Sequence, residues 1–296
     1  MTYSNYSTYI SVSLWYLSST LITIFYRYIG NYHVSAFVGS SGLILQSLVA
    51  CVYTKKYPKL VTSKNQVYVI ITLGMYILLS NVCLQYIPIH VSVMFRSLIP
   101  LFCIISAKLS ALELPEHHII SNIIFLTIGI ILSNLKETYS QTTILGYSLA
   151  LSTCLFAGLK FTALKRYLTE YESITVLKDT GIYMGLLTMP VGAFQLSQVE
   201  FDPIYFNFIF IGTFLGFCIS LFEYTVIKKI SIWETVLFDT LKEILLIIGS
   251  SLFVKLTLTN WLGITLVITS VVSLKWGIYI KEKTEGSVEP DPETLI

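Results

Sequence analysis

Charge is what this sequence has least of: only 12% of its 296 residues are Asp, Glu, Lys or Arg, while 54% are hydrophobic. Soluble domains carry roughly 25% charged residues, so this chain cannot clothe a water-facing surface. The charge it does have is balanced, with a formal net of +2 and no block of one sign, which removes nucleic acid from the expected partners. Cysteine is sparse as well. Cys51, Cys83, Cys103, Cys154 and Cys218 fall in apolar stretches without disulfide-framework or metal-ligand spacing, and they read as small packing residues. His33, His90, His117 and His118 lie near predicted helix ends, and no nucleophile or metal-ligand set converges in the apolar runs. Neither an enzyme nor a cofactor is expected. Met1 to Tyr9 lacks the positive charge of a cleavable targeting segment, and Ile10 to Phe25 is long enough to stay as a span.

What is present is apolar length. Runs long enough to cross a bilayer, about 20 residues each, lie at 9–26, 34–53, 67–86, 89–108, 117–135, 144–164, 174–193, 203–227, 233–254 and 259–280. They predict an all-α membrane protein of ten transmembrane helices, because backbone polar groups in lipid must bond within their own segment and the alternation of a barrel strand is absent. Trp233, Trp261 and Trp276 near span ends read as interfacial anchors.

Loop charge gives orientation. Lys55, Lys56, Lys59 and Lys64, then Lys165 and Arg166, then Lys228 and Lys229, then Lys281 and Lys283 all fall on one side of a ten-span topology. The opposite loops hold little beyond Arg27, Lys136 and Lys255, and one of them is acidic through Glu200 and Asp202. Positive-inside then predicts that both termini are cytosolic, which leaves the Asn5-Tyr6-Ser7 sequon unused. Residues 282–296, rich in Glu and Pro, are expected to form a disordered tail.

Laying the segment from Ile87 on that from Ile230, an offset of 143 residues, places Ile89, Val93, Phe95 and Leu98 on Ile232, Val236, Phe238 and Leu241. The fourth span thereby matches the ninth. An odd number of spans per half means two halves inserted upside down relative to each other, residues 1–140 and 141–281, an arrangement typical of secondary transporters with a site near the midplane.

Charges inside spans mark candidate sites, since each costs about 2.5–3.5 kcal/mol at the bilayer centre. The fourth span carries Arg96, the sixth Lys160 with Lys165 and Arg166 at its end, the eighth Glu223, and the ninth Asp239, Lys242 and Glu243. Asp239 stands at i, i+3 and i, i+4 from Lys242 and Glu243, so an ion pair is available on one helix face. In the repeat register Arg96 falls on Asp239, one turn from Lys242, and two cations at similar depth suit a phosphate or diphosphate. The competing reading makes these charges mutual packing staples, Arg96 with Glu223 or Lys242 with Asp239. Lys165 and Arg166 have a further alternative, snorkelling at a helix end to fix topology; Lys178 and Asp179, at the start of the seventh span, are similarly ambiguous. Gly181-x-x-x-Gly185 and Gly212-x-x-x-Gly216 predict close helix packing within the bundle, with a homodimer as the alternative use.

The run Arg96-Ser97-Leu98-Ile99-Pro100-Leu101-Phe102, with Glu113 seventeen residues after Arg96, resembles the fourth-helix pattern of the triose-phosphate and nucleotide-sugar transporter branch of the drug/metabolite transporter superfamily. Leu241-Lys242-Glu243, Asn260-Trp261-Leu262-Gly263, Gly158-Leu159-Lys160-Phe161-Thr162 and an acid nineteen residues before Lys242, Glu223, are similar to the orphan branch related to GDP-fucose transporters in the solute carrier 35 group. The resemblance runs from the third span to the tenth. It implies ten helices in two inverted halves, alternating access, and strict exchange of a nucleotide sugar for a nucleoside monophosphate, or of a sugar phosphate for phosphate. Lys242 followed by Glu243, where triose-phosphate carriers have Lys-Arg, speaks against a simple triose phosphate.

The expectation is therefore an antiporter for a nucleotide sugar or related phosphorylated sugar in the Golgi or endoplasmic reticulum membrane. Lys242, Arg96 and Lys160 would hold phosphate oxygens, with Lys165 as a further candidate, and Glu223, Asp239 and Glu243 would be counter-ions. The alternative is a non-transporting scaffold or regulator of glycosylation that keeps the fold.

Overall fold

The structure, a computed structural model, describes residues 3–29, 34–83, 85–87, 92, 95–96, 98–109, 117–133, 144–200, 202–250, 258–259, 261–266, 268–270 and 272–273. All regular structure among them is helical. In chain order the helices are α1 (Tyr3–Ile29), α2 (Ser35–Thr54), α3 (Lys64–Cys83), α4 (Ile99–Leu109), α5 (His117–Ser133), α6 (Ile144–Glu170), α7 (Ser173–Ser197), α8 (Ile204–Lys229) and α9 (Ile232–Ser250). Each overlaps one of the first nine apolar runs, the fourth only in its second half, where α4 has 11 residues against a predicted span of 89–108. For the tenth, the structure describes helical residues between 258 and 273, and the proposed tail 282–296 lies outside the described residues. By length and composition, α2, α3, α6 and α8 suffice to cross a membrane.

Local chemistry sets several boundaries. α2 stops at Lys55, whose φ of 53° places it in the left-handed region, and its N–H and that of Lys56 return to Val52 O and Cys51 O. α9 starts with a capping box: Glu234 N–H donates to Ser231 Oγ at 3.1 Å, and Ser231 N–H donates to the Glu234 carboxylate at 3.2 Å.

Small residues decide how the helices approach. A Cβ on Gly181 would stand 3.0 Å from Ser47 Cβ, and one on Gly185 2.9 Å from Ser40 O, so α7 lies directly against the backbone of α2. Gly212 and Gly216 of α8 press the opposite side, toward Val38 and Gln46. Both small-residue motifs thus pack α2 within the bundle. On α6, a Cβ at Gly158 would reach the Phe102 carbonyl carbon at 2.6 Å, which brings α4 as close.

Hydrogen bonds gather the lysine-bearing ends of these helices at one end of the bundle. Lys59 N–H, in the α2–α3 loop, donates to Asp179 Oδ1 at 3.0 Å, and Lys165 Nζ donates to Ile227 O at 2.8 Å and Ile230 O at 2.6 Å. Lys228 pairs with Glu172 at 2.9 Å. Next to this end lies the main apolar core, which includes Val69, Ile70, Phe161, Leu164, Leu168, Val176, Leu177 and Ile227.

Candidate functional site

Past that core, toward the lysine-poor end, the packing opens into a cavity of about 200 Å³. The positions along the helices show where it lies: α2 contributes residues between Val38 and Gln46, α3 residues between Leu73 and Asn81, and α1 Trp15, Ser19 and Ile22. Both α2 and α3 therefore line it with the halves farther from the Lys55–Lys64 loop.

Five of the seven charged residues singled out by the sequence come together here. Arg96, Lys160, Glu223, Asp239 and Lys242 all line this cavity. Lys160 Nζ stands 2.6 Å from Glu223 Oε1, with both side chains under a tenth exposed, and Lys242 Nζ stands 2.6 Å from Asp239 Oδ1. Arg96 Nη2 donates to Ser80 Oγ at 2.9 Å. Lys242 with Asp239 is one of the pairs the sequence allows; for Glu223 it offers Arg96, and the structure gives Lys160 instead. The described lining residues include three cations and two carboxylates.

One candidate falls elsewhere. Lys165 reaches away from the cavity, its Nζ held by the carbonyls of Ile227 and Ile230 where α8 ends. A cation on the last carbonyls of a helix is held by the helix dipole, and this position ties α6 to the α8–α9 turn. Glu243 lies in α9, but its side chain is outside the described residues, as is Glu113. The ambiguous pair is also resolved: Lys178 Nζ is 3.1 Å from Asp179 Oδ1, with both side chains almost wholly buried, at the lysine-rich end.

Several cavity residues carry no sequence signal. Trp15, 1% exposed, puts its ring 5.2 Å from Lys242 Nζ, and Tyr76 puts its ring 4.3 Å from Lys160 Nζ. Each ring face stabilises its ammonium group, by about 2 kcal/mol where water is excluded. Tyr16 OH donates to Phe238 O at 2.6 Å and fastens α1 to α9 beside Asp239. Gln46, Asn81, Ser92 and Ser220 add neutral polar groups to the wall. Aromatic and hydroxyl residues are common throughout these spans, so only helix rotation, which loop spacing does not fix, shows which ones face inward.

The cavity thus brings two lysine–carboxylate pairs and an arginine onto one lining. Comparison with known proteins agrees with a transporter. Residues 144–275 match the EamA-like transporter family, a drug/metabolite-type membrane transporter module. A solved structure titled "Crystal structure of protein" shares the fold, with a TM-score of 0.69 over 92% of this chain and 96% of that one, at 13% sequence identity. No curated protein matches the chain by sequence. The match reaches the superfamily the sequence resembles, and nothing in it points to the solute carrier 35 group or its GDP-fucose-related branch.

Proposed function

With an EamA-like transporter domain as premise, we propose that the chain is a secondary antiporter for phosphorylated sugars, exchanging them for phosphate or a nucleoside monophosphate across an endomembrane. The observation that carries this reading is the convergence of Arg96, Lys160 and Lys242 on one cavity with the carboxylates Glu223 and Asp239. A phosphate entering between Lys160 and Lys242 competes with those carboxylates for the same N–H donors. Charge-assisted bonds to phosphate are about twice as strong as neutral ones. When substrate leaves, each lysine returns to its acid, so neither ammonium group is left unpaired in the empty cavity. The matched positions of Arg96 and Asp239, both at the cavity, support two inverted halves meeting at this site.

Size bears on the substrate. Pockets for drug-sized ligands span roughly 300–1,000 Å³, and this cavity, at about 200 Å³, lies below that range. It suits a sugar monophosphate in the state described; a whole nucleotide sugar requires the helices to part further.

One observation favours the scaffold reading: the Lys160–Glu223 and Lys242–Asp239 pairs neutralise themselves without a ligand. A single experiment separates the two. Purified protein is heated with inorganic phosphate, sugar phosphates, nucleoside monophosphates and nucleotide sugars, and exchange is measured in liposomes with the compounds that raise the melting temperature. The antiporter reading expects stabilisation by at least one phosphorylated compound. It also expects Lys242→Ala to remain folded while losing that stabilisation, by about tenfold or more in Kd. A wild-type melting temperature that none of these compounds moves would favour the scaffold.

A further inference from the structure

The cavity has a second wall, and its chemistry differs from that of the cationic one. Gln46 of α2 is 5% exposed and Asn81 of α3 is 7% exposed, and both line the cavity. Gln46 Oε1 accepts a bond from Ser220 Oγ at 3.4 Å, which leaves the amide nitrogen engaged by no acceptor among the described residues. Gly216 makes room for that nitrogen, because a Cβ there would collide with it. The recorded bond of Asn81 goes to its backbone, from Ser35 Oγ to Asn81 O at 3.1 Å, so its side-chain amide has no partner among the described residues. Ser92, 6% exposed, lies on the same lining.

The amide donors of Gln46 and Asn81 have no acceptor among the described residues and lie on the cavity lining, where a molecule in the cavity can reach them. In a packed membrane bundle, Leu at positions 46 and 81 would bury no polar group. Two such amides facing one cavity are accounted for if something that enters it bonds to them. An amide carries both donors and an acceptor and no charge, so it can bond a hydroxyl group in either direction, whereas phosphate oxygens can use only its N–H donors. The cationic residues already supply the phosphate contacts.

Resting on the antiporter reading above, we infer that Gln46 and Asn81 are specificity-determining residues that bond the uncharged hydroxyl-bearing body of the substrate while Arg96, Lys160 and Lys242 hold its phosphate. A site built on buried polar groups rejects a ligand that leaves them unbonded. The carrier therefore prefers a phosphorylated polyol to phosphate alone.

The test uses the full chain with two probes, glucose 6-phosphate and inorganic phosphate, and reads the ratio of their Kd values. Wild-type protein binds glucose 6-phosphate more tightly. Gln46→Met and Asn81→Leu, close in volume but without the amide, each lower that preference about fivefold, the size of one neutral hydrogen bond; Gln46→Asn, which keeps an amide, restores part of it. Wild-type protein also provides a check that needs no variant, because at least one of 2-deoxy- and 3-deoxy-glucose 6-phosphate binds several-fold more weakly than the parent. A ratio unchanged by both substitutions, deoxy analogues bound as tightly as the parent, or wild-type protein that binds phosphate but not glucose 6-phosphate overturns the inference and leaves the antiporter reading standing. If no phosphorylated compound binds, both fall together.

Discussion

At the lysine-rich end of the bundle, Lys165, Lys178, Asp179 and the Gln66 side chain all end on protein partners: Ile227 and Ile230 carbonyls, each other, the Lys59 N–H and the Asp179 carbonyl. In the other half, the same kinds of group line a cavity. The Gln46 and Asn81 side chains leave N–H donors there with no acceptor among the described residues, and Lys160 and Lys242 each pair with a carboxylate. The difference teaches how to tell a membrane charge kept for structure from one kept for function. On the antiporter reading proposed above, the first has its bonds closed by backbone and loops, and the second exchanges a protein partner for an incoming one.

Substitutions at the two ends should therefore separate stability from binding. The largest effect is expected at the closed end. Asp179→Ala strands the buried Lys178 charge and frees the α2–α3 loop, and removing one partner of a buried pair costs about 3–5 kcal/mol. The melting temperature in detergent falls sharply, whereas protein that stays folded keeps its stabilisation by phosphorylated compounds. Were that stabilisation to vanish as well, the closed end would belong to the site and the distinction would fail.

Next, and opposite in sign, is the double replacement Lys160→Met with Glu223→Leu. Exchanging a buried ion pair for apolar residues is often neutral or stabilising by about 1–4 kcal/mol, so the empty protein melts at the same or a higher temperature while exchange in liposomes is lost. A large drop in melting temperature would instead make this pair a staple like Lys178–Asp179.

The smallest effect belongs to the rim. The Glu172 side chain is 77% exposed in its pair with Lys228, and exposed pairs contribute at most about 1 kcal/mol. Glu172→Gln should leave melting and exchange within error of wild type, and a larger change would show that the closed end depends on its outer salt bridge.

These contrasts were only partly legible in the sequence. Arg96, Lys160, Glu223, Asp239 and Lys242 could be found because a charge in an apolar run is expensive wherever it faces, and cost is visible without coordinates. Which acid meets which cation could not, since pairing depends on the rotation of α6 against α8. Lys165 shows the same limit, because a lysine near a helix end reads alike whether it meets phosphate, headgroups or carbonyls. Trp15 and Gln46 were missed for a further reason: the first two spans add little to the family resemblance, yet α1 and α2 supply much of the neutral wall. The apolar helices themselves were the easiest to place, since their length is dictated by the bilayer.

The glycine contacts of α2 carry a consequence for motion. With Gly181 and Gly185 against one side of it and Gly212 and Gly216 against the other, α2 interlocks with α7 and α8 at backbone distance, and sliding them apart would break packing along their length. Gly158 joins α6 to α4 in the same way. Between α6 and α8, beside the shared apolar core of Phe161, Leu164 and Ile227, polar bonds also cross: Lys160 to Glu223, and Lys165 to the turn after α8. Such bonds can exchange partners without leaving a void, which interlocked side chains cannot do. The Lys160–Glu223 pair, which lies on the cavity, is the contact between α6 and α8 best suited to such an exchange of partners.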